Sequence, residues 1–147
     1  MLNNLKLPAL ASIFMLTFAG LNSVVAGELA VISNAKTAVE GISLEELNNI
    51  YMGQSRTFSS GEQAQPCHQD KGNQARKIFF QSVLKKSENR VSSYWSRRKF
   101  TGKGNPPEVV GDDDAVTDWV SQTPGGIGYI NGQNLKKGVN VLLIIPY

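Results

Sequence analysis

The chain has 147 residues, with 15 lysines and arginines against 12 aspartates and glutamates, one histidine and one cysteine. That length holds one domain with a real core and not two ordinary ones, and the small basic excess leaves no footprint for nucleic acid or for a membrane surface. One thiol, Cys67, excludes an internal disulfide, and His68 beside it is the only histidine, so no metal-ligand spacing exists.

The N-terminus carries Lys6, then an apolar run from Leu7 to Phe18, then Ser23, Val24, Val25 and Ala26 just before Gly27 and Glu28. This is the three-part layout of a secretory signal peptide, with short residues at the last and third-last positions before the cut. It predicts residues 1–26 as the signal and 27–147 as the exported domain. A membrane-spanning helix needs about 20 apolar residues, and Gly20, Asn22 and Ser23 interrupt this run. No cysteine follows the run, which speaks against a lipid anchor. The expected location is the bacterial periplasm, with no spanning segment after cleavage.

Leu29 to Ser33 is short, apolar and partly β-branched, and reads as a buried strand ending at Asn34. Ser43 and Glu46 have the spacing of a capping box, and Leu44, Leu47, Ile50 and Tyr51 continue at helical spacing to a stop at Gly53. Gln54 to Gln65 is polar and turn-rich, a loop with a short strand leading into Pro66. A second helix is predicted over 73–86, with Ile78, Phe79, Val83 and Leu84 on one face. A third is predicted over 87–98, burying Val91, Tyr94 and Trp95. The glycines and prolines of Thr101–Pro107 allow neither helix nor central strand. Asp112, Asp113 and Asp114 precede Ala115, Val116, Trp119 and Val120, which places acids at the positive end of a fourth helix, as caps rather than metal ligands. After the break at Pro124–Gly126 come two strands, Ile127–Ile130 and Val139–Ile145. This order is α/β, a small sheet flanked by helices.

Several of these segments, in order, resemble the second lobe of the phosphate ABC-transporter substrate-binding family. They are Ile42 to Gly53, the helix from Arg76 to Leu84, Trp95 with Phe100-Thr101-Gly102-Lys103-Gly104 and Pro107, and Val116 through Thr123-Pro124-Gly125-Gly126-Ile127-Gly128-Tyr129-Ile130. The resemblance implies a periplasmic binding protein-like domain, a single lobe of the class II type with a small mixed sheet. Full members are more than twice as long and close two lobes on phosphate.

In those proteins the segment entering the second helix carries an arginine, an aspartate and a Ser-Gly-Thr run around the anion. The matching stretch is His68 to Gln74. Asp70 stands in place, His68 occupies the arginine position, and Asn73 and Gln74 replace the hydroxyl residues. A helix N-terminus still favours an anion through its unpaired amides and dipole. The candidate anion residues are therefore His68, Asp70, Gly72, Asn73, Gln74 and Arg76. The resemblance implies that Asp70 would accept the proton of a hydrogen phosphate; the alternative is a plain helix cap on Gly72 or Asn73. His68 is either a pH-dependent anion contact or a surface or packing residue, and Cys67 reads as a half-buried small apolar residue, against an intermolecular or reactive thiol.

Arg90 and Arg97 share a helix face and, with Arg98, form a candidate docking patch for an acidic envelope partner or lipid headgroups, against the plainer reading of a solvated face. Neither a Ser/His/Asp set nor paired catalytic carboxylates can be argued, so no enzyme and no cofactor are expected. The first functional reading is binding of phosphate or another small anion. The alternative is a non-transport interaction module that keeps the fold, and self-association into a two-lobed cleft is a third possibility.

Overall fold

The computed structural model describes residues 26–147, so the expected leader lies almost wholly outside the described residues. Its elements run β1 (Glu28–Asn34), α1 (Leu44–Tyr51), β2 (Gln65–Gln69), α2 (Gln74–Phe79), α3 (Glu88–Phe100), β3 (Glu108–Gly111), α4 (Asp113–Gln122), β4 (Gly126–Asn131) and β5 (Val139–Pro146). The strands form one sheet in the order β3-β2-β4-β1-β5. β2 is parallel to β3 and β4, whereas β1 is antiparallel to β4 and β5. The mixed α/β fold expected from the sequence is the fold observed.

Strand alternation divides the core. Leu29 and Val31 of β1 and Ile127 and Tyr129 of β4 face one side, where they pack with α1, α2 and α3. Ala30, Ile32, Cys67 and Ile130 face the other, against Val116 and Val120 of α4. Successive strand residues point to opposite faces, so two helical layers follow directly from the apolar runs of β1 and β4. Among the described residues no helix is long and apolar enough to cross a membrane.

Local chemistry sets the helix starts. Ser43 accepts from the Glu46 amide at 3.1 Å, Ser87 from the Arg90 amide at 3.3 Å and Asp112 from the Ala115 amide at 3.0 Å. The capping box at α1 is only half made. The Glu46 carboxylate turns outward and accepts from the Ser59 amide at 2.7 Å, which ties the 54–64 loop to α1.

One expectation is corrected. The second helix does not continue as α-helix to residue 86: it leaves α geometry after Phe79, widens into a π turn over Phe80–Leu84, and stops at Lys85, whose φ is 52°. The wider turn lets Phe79, Phe80, Val83 and Leu84 all reach the core. The Val83 carbonyl is met there by Asn48 Nδ2 at 3.0 Å. Glu108–Gly111, for which the sequence suggests no element, adds the edge strand β3 beside β2.

Candidate functional site

The parallel strands β2 and β3 end side by side, and the chain leaves them through Asp70–Asn73 into α2 and through Asp112 into α4. The last residues of β2 are polar and yet buried: Cys67, His68 and Gln69. The polar atoms of Gln69 are met from three directions. Gln69 donates through Nε2 to Asp113 Oδ1 at 2.5 Å and to the Tyr129 carbonyl at 2.9 Å, and its amide donates to Tyr129 Oη at 3.3 Å. Asp113 also accepts from the Asn131 amide and from Asn134 Nδ2. The middle residue of the Asp run is thus a structural hub between α4, β2 and β4, a role that sequence spacing alone did not reveal.

His68 lies within an aromatic cluster of Tyr51, Phe79, Phe80 and Tyr129, with ring centroids between 5.0 and 6.0 Å away. Its Nδ1 is 3.0 Å from Tyr129 Oη. Burial, and then the nearby Arg76 guanidinium, lower its pKa to about 3. His68 is therefore neutral at ordinary pH, and as a charged anion contact it contributes nothing. Its folded pKa lies below the unfolded value near 6.5, so its contribution to stability is complete above that value. That contribution fades as pH falls toward 3. Stability is expected to drop by about 2 kcal/mol between pH 6.5 and 5, and His68→Phe should flatten this part of a urea-midpoint profile. An equally steep profile in the variant would refute the assignment.

Arg76 is buried and fully engaged. It clamps Glu88 through Nε at 2.6 Å and Nη2 at 2.8 Å, donates through Nη1 to the Gln69 carbonyl at 2.8 Å, and lies 4.6 Å above the Phe80 ring. It ties the start of α3 to the end of β2 rather than facing the first turn of α2. Cys67 is wholly buried, and burial followed by the Glu108 charge pushes its thiol up to about 12, so it is more enclosed than the expected half-buried position.

Around the first turn of α2, the remaining candidates come together. Asp70, Lys71, Gly72 and Gln74 are exposed, and Gly72 has a φ of 91°. The Asp70 side chain does not cap the helix. The Asn73 amide bonds instead to the Asp70 backbone carbonyl at 3.2 Å. Asn73, the N-cap residue, makes no side-chain cap either, because its amide group donates to Gln69 Oε1 and the Gly111 carbonyl, both at 3.3 Å. A cavity of about 370 Å³ opens over this end of the sheet, between Asn73 and Gln74 on one side and Asp112–Asp114 on the other.

The arginine patch separates into two parts. Arg90 and Arg97 line one shallow groove on α3 with Ser93 and Tyr94. Arg98 belongs to the scaffold: its Nη2 donates to the Gly53 carbonyl at 3.1 Å, and its guanidinium lies over the Tyr94 and Trp95 rings.

Comparison with protein-family models and with curated protein sequences finds no match. Among solved structures the chain is similar to a phosphate ABC transporter substrate-binding protein from Clostridium perfringens determined with bound phosphate. The TM-score is 0.63 and the identity 14%, over 80% of this chain and 44% of that one. It is also similar to an ABC-type phosphate transport receptor from Vibrio cholerae, with TM-score 0.62 and 17% identity over 80% of this chain and 46% of the other. PstS from Borrelia burgdorferi gives TM-score 0.60 and 18% identity over 80% and 47%. The chain thus has the fold of one α/β lobe of such binding proteins and spans less than half of their length.

Proposed function

We propose that this chain is an exported, non-enzymatic binding lobe that takes a small anion of the phosphate type at the first turn of α2. One observation carries the reading: α1, α3 and α4 each spend a side chain on their first-turn amides, whereas α2 does not. Asp70, the residue expected to cap α2, instead presents a carboxylate with no hydrogen bond among the described residues, next to the exposed Lys71. First-turn amides, a cation and a carboxylate able to accept a proton suit a hydrogen phosphate. The binding proteins of similar fold support the same ligand class.

The affinity is weak, because Arg76 is engaged by Glu88, His68 is neutral, and Asp112–Asp114 make the α4 side of the cavity repulsive to anions. Calorimetry should find phosphate binding in the millimolar range, roughly −4 kcal/mol, with sulfate weaker because it brings no proton for Asp70. Lys71→Gln should weaken phosphate about threefold or more. Absence of any saturable heat at tens of millimolar phosphate would reject the reading. Arg90 and Arg97, exposed and without an ion pair among the described residues, are the part of the arginine patch open to an acidic envelope partner.

A further inference from the structure

The C-terminal end of α3 carries the most exposed large apolar side chain among the described residues. Phe100, the last residue of that helix, is 92% exposed, whereas the other exposed large apolar side chains lie between 38% and 50%. Single exposed apolar residues are ordinary, but a phenylalanine with almost no protein contact is not. Helix geometry puts it there. Phe100 comes nine residues after Val91, half a circle away at 3.6 residues a turn, so burial of Val91 and Trp95 points Phe100 outward.

Cations surround it. Arg97 stands one turn back, Lys99 adjoins it, Lys103 follows in the turn that ends the helix, and Arg90 lies two turns before Arg97. All four are exposed, and none makes an ion pair among the described residues. From Lys85 to Pro107 the only acid is Glu88, and Arg76 binds both of its oxygens. The acids of Asp112–Asp114 and Asp118 belong to α4, which packs on the opposite face of the sheet from α3. The small net charge of the whole chain therefore conceals a local cationic surface with an aromatic ring at its tip.

We propose that this end of α3 docks reversibly on an anionic lipid surface: Phe100 enters the boundary between headgroups and acyl chains, Arg97, Lys99 and Lys103 meet lipid phosphates around it, and Arg90 extends the contact to about 15 Å along the helix. Buried apolar area and attraction to anionic lipids add in such contacts, and neither suffices here alone. A fluid surface suits the site better than a folded acidic partner, because headgroups rearrange around a projecting ring, whereas a protein would need a pocket shaped to receive it. The surface uses none of the residues of the α2 first turn and stands whether or not that turn binds phosphate.

The test sediments the purified protein, wild type and variants sharing one N-terminus, with vesicles of phosphatidylglycerol and phosphatidylcholine or of phosphatidylcholine alone. The anionic vesicles should carry the protein down at low ionic strength and release it in high salt, and the neutral vesicles should leave it in solution. Phe100→Ser, at a position outside the core, should weaken partitioning about tenfold. Arg97→Gln with Lys99→Gln, also exposed, should weaken it about tenfold or more at low ionic strength. Millimolar inorganic phosphate at constant ionic strength should leave vesicle binding unchanged. No sedimentation with the anionic vesicles would overturn the proposal and leave this face to an acidic protein partner. Equal binding to neutral vesicles, wild-type partitioning in either variant, or displacement by phosphate at constant ionic strength would overturn it as well.

Discussion

Replacing Arg76 by methionine is expected to lower stability by about 2–4 kcal/mol, the largest loss for any single side chain at this end of the sheet. The guanidinium is buried, it holds Glu88 through two short bonds, and it satisfies the Gln69 carbonyl. Methionine fills much of the volume and leaves that carbonyl without its donor. The loss stays below the full penalty for breaking a buried pair because the Glu88 side chain is 42% exposed, so water can hydrate the carboxylate left behind. For a domain of this size the loss corresponds to about 8–16 °C in melting temperature.

The pair also has a pH signature. The hydrogen bond from Arg76 holds the Glu88 carboxyl below its usual value of 4.5. Its stabilising contribution is therefore present above that value and is lost as pH falls through the lower folded value. The gap between wild type and Arg76→Met should narrow below about pH 4.5. A variant within about 1 kcal/mol of wild type at neutral pH would show that the clamp is not the anchor described.

Gly125→Ala should be at least as damaging, with a loss of about 3 kcal/mol or more. The residue has a φ of 71°, which costs an alanine roughly 1–2 kcal/mol. The added Cβ would also meet the Gln63 carbonyl oxygen, which is backbone and cannot rotate away. Gly125 is fixed in place because its own carbonyl accepts from the Gln65 amide at 2.8 Å, where β2 enters the sheet. Gly138→Ala is the control: its φ is 98° and no atom lies within 4 Å of the new Cβ, so it should show backbone strain alone. Equal losses at the two positions, measured from urea midpoints, would refute the close approach.

These sites differ in how far the sequence exposed them. The apolar runs of β1 and β4 and the cap at Asp112 are local signals, and each formed where the residues place it. β2 was nearly invisible, because Gln65-Pro66-Cys67-His68-Gln69 reads as loop chemistry. It becomes a buried strand only when Tyr129, Asp113 and Tyr51, distant in sequence, supply its hydrogen-bond partners. β3 was missed for another reason: it is a short edge strand and mostly solvent-facing.

The same distinction separates the candidate anion residues. Register with a family motif placed Asp70, Gly72 and Gln74 at an open helix start, which is a local property. Whether Arg76 faces that start depends on Glu88, twelve residues later, and the spacing of charges along the second helix does not encode that pairing.

Residue-resolved amide shifts on titration with inorganic phosphate at neutral pH test the central claim most directly. Saturable movement confined to Lys71–Ala75, and weakened in Lys71→Gln, is the predicted result. Saturable shifts located elsewhere, or none at tens of millimolar phosphate, would contradict it.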